Sequence, residues 1–238
     1  MRLWLGSICF TSVFLASAVV QSLFSLVLRL FGYRVLYAGM KLWCQSMLTL
    51  LRWFCGLDYT VRGLERLPQQ NTVLLMKHSS TWEIVAQLVL FPNQTWVMKR
   101  ELIWTPILGW ALSCLKPIPI NRKGGRAAVT RVIECGRKRL EEGLWIIIFP
   151  EGTRVPAGET RRYGLSGTLL AQAQGLPVVP VAHNAGDFWP RRGLLKHPGT
   201  IQVVVGDPIA TADRDPREVN REVQNWIETE IAAMQAPD

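Results

Sequence analysis

Between Leu3 and Leu28 this sequence has no formally charged residue, and acidic side chains are scarce throughout its 238 residues. Cysteine is sparse and unpatterned: Cys9, Cys44, Cys55, Cys114 and Cys135 form no C-x-x-C pair. That spacing favours reduced, mostly buried thiols over a disulfide frame or a zinc site. No internal repeat or low-complexity linker follows the apolar start, so no boundary is drawn within residues 58–238. A serine elbow is missing too. Gly164-Leu165-Ser166-Gly167-Thr168 carries threonine where G-x-S-x-G needs its last glycine, and reads as a helix entry.

What is present is apolar and basic. Hydrophobic residues make up 49% of the chain, and 27 Lys and Arg against 18 Asp and Glu give a net charge of +9. Mean hydropathy is +0.14, high for a purely soluble protein. Such a charge favours anionic partners, of which nucleic acid and acidic lipid are the two broad classes. No nucleic-acid-binding motif occurs, and that class gives the uncharged N-terminus no purpose. Lipid is the partner expected.

The uncharged run, as a helix, rises about 39 Å at 1.5 Å per residue, enough to cross a hydrocarbon core of about 30 Å with tilt. Ala16-Ser17-Ala18 resembles a signal cleavage site, but the apolar run continues past it, so a retained anchor is favoured. After Gly32, Leu36, Met40, Trp43, Met47, Leu50 and Phe54 recur at three- and four-residue spacing. Arg34, Lys41, Gln45 and Arg52 fall on another face. This predicts an amphipathic helix, either at a membrane interface, to which Trp43 and Trp53 are suited, or packed as an ordinary helix on the globular domain. The excess of Arg and Lys after Leu28 places the downstream domain on the cytoplasmic side of the inner membrane. Residues 1–57 are thus expected to anchor a catalytic domain spanning 58–238, either as a span followed by a surface helix or as a hairpin in one leaflet.

From Leu57 the chain alternates as an α/β domain. Strands are predicted at 59–62, 72–76, 95–98, 117–120, 144–149, 178–182 and 201–205, and helices at 81–90, 102–114, 126–142, 165–174 and 216–234. Two polar loops follow apolar strands, where an open α/β sheet builds its site. The first is His78-Ser79-Ser80-Thr81-Trp82-Glu83; the second is Phe149-Pro150-Glu151-Gly152-Thr153-Arg154. His78 suits general-base work because its ordinary pKa lies near working pH. Glu83 can fix its tautomer and stabilise the imidazolium, provided His78 sits in the entering loop and Glu83 in the first helical turn. Ser80 to Glu83 also matches an S-x-x-E capping box, in which the glutamate only bonds backbone. Taken alone, the pair permits either role.

The motifs together resemble the glycerolipid acyltransferases, in particular the 1-acyl-glycerol-3-phosphate acyltransferase family, over about residues 58–205. His78 matches the first residue of the family's His-x4-Asp motif, from which Glu83 departs. Lys99-Arg100-Glu101-Leu102 through Gly109-Trp110 to Ile120-Asn121-Arg122 resembles the second motif. Phe149 to Arg154 is the complete third, and Val178-Val179-Pro180-Val181 resembles the fourth. The resemblance implies a mixed, mostly parallel sheet flanked by helices. It implies acyl transfer from acyl-CoA or acyl carrier protein to the 2-hydroxyl of lysophosphatidic acid, with no metal and no cofactor beyond that co-substrate. His78 is then the base and Glu83 its orienting carboxylate. Lys99, Arg122, Glu151, Gly152, Thr153 and Arg154 bind substrate, the arginines as phosphate forks. A different lyso-lipid acceptor, such as a lyso-ornithine lipid, fits the same motifs, and a non-catalytic membrane scaffold fits the departure at Glu83.

Overall fold

The computed structural model describes residues 1–235. Seven strands form one sheet: β1 (Leu57–Arg62), β2 (Val73–Met76), β3 (Gln94–Lys99), β4 (Ile118–Ile120), β5 (Trp145–Ile148), β6 (Val178–His183) and β7 (Gly199–Val205), ordered β1-β7-β6-β2-β5-β3-β4. Every pairing is parallel except β6 with β7. The sheet is therefore mixed and mostly parallel, as expected. β2, β5 and β6 are buried along their whole length, which is why they read as unbroken apolar runs. Pro180 is tolerated in β6 because the ladder with β7 begins one residue later, at Val181↔Val205, so its missing N–H costs no rung there.

Alternating strand side chains feed two cores. Leu74, Met76, Ile147 and Val179 face one layer, containing α1 (Arg2–Leu28), α2 (Tyr33–Cys55), α3 (Trp82–Leu90) and α4 (Leu108–Cys114). Val73, Leu75, Ile146 and Val178 face the other, containing α5 (Gly125–Glu141), α6 (Ser166–Ala173) and α8 (Pro216–Gln235). A short α7 (Ala185–Phe188), not anticipated from the sequence, follows β6.

The helix expected over 102–114 is broken. Arg100–Trp104 is a 3-10 turn, and α4 starts only at Leu108. Pro106 explains this: it lacks a donor and disfavours helical backbone at Thr105, which is extended with ψ 116°.

The N-terminal helices form a hairpin, and α2 packs on the sheet side of the molecule. Leu36, Met40, Cys44, Met47 and Leu51 of α2 are buried. The expected stripe is rotated, since Phe54 is 41% exposed while Cys44 is buried. Trp43 donates its indole N–H to Ser17 Oγ at 3.2 Å and is held by α1, whereas Trp53 is exposed. Gly6 lets the two helices close: a Cβ there would lie 2.1 Å from the Phe54 carbonyl oxygen. The outer side of α1 is apolar and open, with Trp4, Leu5, Leu15, Val20, Leu23 and Phe24 exposed. Helix Arg2–Phe31 has mean hydropathy 2.0 and is long and apolar enough to cross a membrane. All five cysteines are free.

Candidate active site

Five strands point their carboxyl ends to one edge of the sheet, and the polar loops gather there. His78 follows β2, Lys99 ends β3, Arg122 follows β4, Glu151 follows β5 and His183 ends β6. The first and third motifs are bonded to one another through His78 itself. Its amide donates to Glu151 Oε1 at 3.2 Å, and its carbonyl accepts from the Val155 amide at 2.8 Å. The imidazole stacks on Phe149, ring centroids 4.2 Å apart.

Glu83 does both things its sequence context allows. Oε1 accepts from His78 Nδ1 at 2.8 Å, while the Ser79 and Ser80 amides donate to the same carboxylate at 3.0–3.1 Å. Glu83 lies in the first turn of α3 and His78 in the entering loop, so the pair converges in the way five positions along one helix forbid. Ser80 Oγ accepts from the Trp82 amide, so the reciprocal half of a capping box is replaced by a tighter turn. Burial would raise the Glu83 carboxyl, but the hydrogen bond and charge of His78, the charge of His183 and the Ser80 amide outweigh it, and the group lies below its ordinary value. An ionised Glu83 makes Nδ1 the donor and leaves His78 Nε2 with a lone pair.

His78 lines an open cleft of about 280 Å³ whose lining residues fall into two chemical groups. One is apolar: Ile84, Trp96, Met98, Leu102, Leu112 and Phe149. The other carries Lys99, Arg122, Thr153, Arg154 and Arg191. Among the described residues no carboxylate lies within ion-pair distance of Arg122, Arg154 or Arg191, whereas Lys99 is 3.7 Å from Glu101. Arg154 Nε is buried without a hydrogen-bond partner among the described residues. Three unneutralised guanidinium groups beside an imidazole suit an oxyanion.

Glu151 and Gly152 stand apart from that cleft, lining a neighbouring one with Arg122 and Arg161. Gly152 has φ 69° in the turn closed by its amide on the Phe149 carbonyl, a backbone that favours glycine. Glu151 braces the His78 backbone rather than an arginine, and Lys77 Nζ is 3.6 Å away. Burial pushes its carboxyl up to about 7, only partly offset by a backbone amide and Lys77. Lys77 also donates to Glu228 on α8 at 2.7 Å. That pairing spans 151 positions and has no signal in the sequence. His183 is fully buried, with Nε2 2.9 Å from the Lys77 carbonyl and 4.0 Å from Glu83 Oε2, a second imidazole behind the first. Burial lowers its pKa against the pull of Glu83.

The family model described as Acyltransferase matches residues 58–184. The chain is 43% identical over 193 residues to a 1-acyl-sn-glycerol-3-phosphate acyltransferase of Pseudomonas aeruginosa, covering 80% of this chain and 75% of that protein. A protein of the same name from Cocos nucifera is 27% identical over 218 residues, 91% of this chain and 70% of its own. The solved 1-acyl-sn-glycerophosphate acyltransferase of Thermotoga maritima superposes with a TM-score of 0.81 over 100% of this chain and 99% of its own, at 22% identity. That likeness establishes the fold.

Proposed function

This chain belongs to the acyltransferase family, as an enzyme of the 1-acyl-sn-glycerol-3-phosphate type, and on that premise we propose that it esterifies the free 2-hydroxyl of lysophosphatidic acid to give phosphatidic acid. The observation that carries this reading is that His78, whose Nε2 has no hydrogen-bond partner among the described residues, shares one cleft with apolar side chains and with the guanidinium groups of Arg122, Arg154 and Arg191. A lyso-lipid with a phosphate has that same division. Arg154 and Arg122 take the phosphate, with Lys99 and Thr153 at the mouth. Glu151 and Gly152 serve the site indirectly, by setting the loop that carries Thr153 and Arg154.

The donor is a thioester, acyl-CoA or acyl carrier protein. His78 Nε2 takes the hydroxyl proton as the oxygen attacks the thioester carbonyl. Glu83 holds the imidazolium formed. The tetrahedral intermediate then expels the thiolate, which recovers the proton from His78. A thioester is already activated, so no acyl-enzyme and no cofactor is called for. The exposed apolar side of α1 lies in the cytoplasmic membrane, with the cleft at its cytoplasmic surface.

The test is acyl transfer by purified protein in detergent, with labelled acyl-CoA and lysophospholipids with and without a terminal phosphate. His78→Ala is expected to lower turnover by roughly 10²–10⁴. Arg154→Ala is expected to weaken use of the phosphate-bearing acceptor selectively. Unchanged turnover in the first variant removes the base, and an equal loss on both acceptors in the second removes the phosphate clamp.

A further inference from the structure

Lys196 is a lysine where burial is least expected: it is 2% exposed, and no carboxylate lies within ion-pair distance among the described residues. Burying an ammonium costs several kcal/mol unless its hydrogens are met. Here Nζ donates to Thr11 Oγ1 of α1 and to the Leu194 carbonyl, and it lies 4.9 Å from the Trp189 ring and 5.7 Å from that of Phe10. The Lys196 amide donates to Ser7 Oγ, also on α1, at 3.0 Å. Trp189 in turn meets Phe10 edge to face, centroids 5.6 Å apart. A methionine fills similar space without burying a charge, so packing alone does not account for the lysine.

The other side of this loop meets the cleft. Ser80 Oγ donates to the Trp189 carbonyl at 2.7 Å, and Ser80 and Pro190 form a β-bridge. Arg191 lines the His78 cleft, with Nη1 donating to the Arg154 carbonyl at 2.8 Å. Arg192 takes φ 63°, in the left-handed region that a non-glycine residue seldom adopts. The segment 189–196 thus meets α1 through both its ends, at Trp189 and at Lys196, and meets the catalytic loops through Trp189, Pro190 and Arg191.

We infer that Lys196 is a positioning residue: it locks the 189–196 loop onto α1 and so holds Arg191 in the cleft as a third fork for the acceptor's phosphate. This rests on the proposed function and adds to it a dependence of the site on the seating of α1.

A double-mutant cycle in the full-length chain, with lysophosphatidic acid and acyl-CoA as substrates, tests it. Arg191→Ala should raise KM for lysophosphatidic acid about tenfold, at about 1.4 kcal/mol per tenfold, and leave KM for acyl-CoA unchanged. Lys196→Met should raise the same acceptor KM several-fold. In the Arg191→Ala background Lys196→Met should add nothing, because the fork it positions is gone. A loss of general stability does not produce that non-additivity. Thr11→Val removes one partner of Nζ from the α1 side and should shift the acceptor KM in the same direction, which covers the case of a Lys196→Met chain that does not fold. Multiplicative effects in the double variant, an unchanged acceptor KM in both Lys196→Met and Thr11→Val, or a rise confined to KM for acyl-CoA overturns the inference. Where the wild-type chain acylates lysophosphatidic acid, those results leave the proposed function standing.

Discussion

At the residue scale the decisive group is Glu83. One carboxylate serves the imidazole and two backbone amides at 2.8–3.1 Å, so helix start and histidine orientation share one side chain. Glutamate in place of the family's aspartate adds a methylene, and here the longer side chain reaches all three donors. A working dyad built around glutamate predicts that Glu83→Asp lowers turnover, because the shorter carboxylate must leave either His78 or the amides. Glu83→Gln keeps the shape but loses the charge that stabilises the imidazolium. It should lower kcat by at least about a hundredfold with little change in acceptor KM. Steady-state kinetics of the two variants check this; wild-type kcat in Glu83→Gln would reduce the residue to a helix cap. Sequence spacing brought this pair to notice but left its two roles unresolved, since loop and first-turn placement is a backbone property.

At the scale of elements, α1 and α2 form a hairpin whose close approach depends on Gly6. In an exposed helix Gly to Ala stabilises by about 1 kcal/mol. Here the added Cβ would lie 2.1 Å from the Phe54 carbonyl, so Gly6→Ala should have the opposite sign. A loss of about 1–3 kcal/mol, the usual range for overpacking, is expected, with activity falling as α1 leaves the 189–196 loop. Thermal unfolding in detergent measures it, and a raised Tm would show that the helices do not pack as described. The uncharged run located α1 and periodicity located α2, because both are local patterns. Periodicity misjudged which face of α2 is buried, because α1, α3 and the sheet share that decision. The helix expected at 102–114 failed for a local reason instead, Pro106, whose effect on the backbone outweighed an apolar pattern compatible with one helix.

At the scale of the whole molecule, burying ionisable groups at the carboxyl edge of the sheet ties stability to pH. Glu151, raised to about 7 by burial, binds its proton more tightly folded than unfolded. Its contribution is complete below its ordinary value of 4.5 and is lost as pH rises through about 7. Glu83 has the reverse sign, contributing above the ordinary carboxylate value and losing that as pH falls. His183, lowered by burial, also favours the folded state as pH rises and opposes Glu151 over part of its range. The difference between Glu151→Gln and wild type isolates one group. It should grow in the variant's favour by up to about 3 kcal/mol between pH 4.5 and 8, at about 1.4 kcal/mol per pKa unit. Denaturant midpoints across that range provide the measurement, and parallel curves would remove Glu151 as the titrating group.

By itself the sequence determined the seven strands, the apolar N-terminal helix, and the loops that bear His78 and Arg154, because strand runs, apolar runs and short motifs are local patterns that survive without a partner. Only the tertiary structure decided that Glu228 and Lys77 meet, that Arg191 shares the His78 cleft, and that Lys196 is buried against α1 rather than solvated. Those contacts join residues 151 or more positions apart or depend on which side of a loop faces inward. Such proximity is a product of how the sheet orders its strands, and no spacing along the chain encodes it.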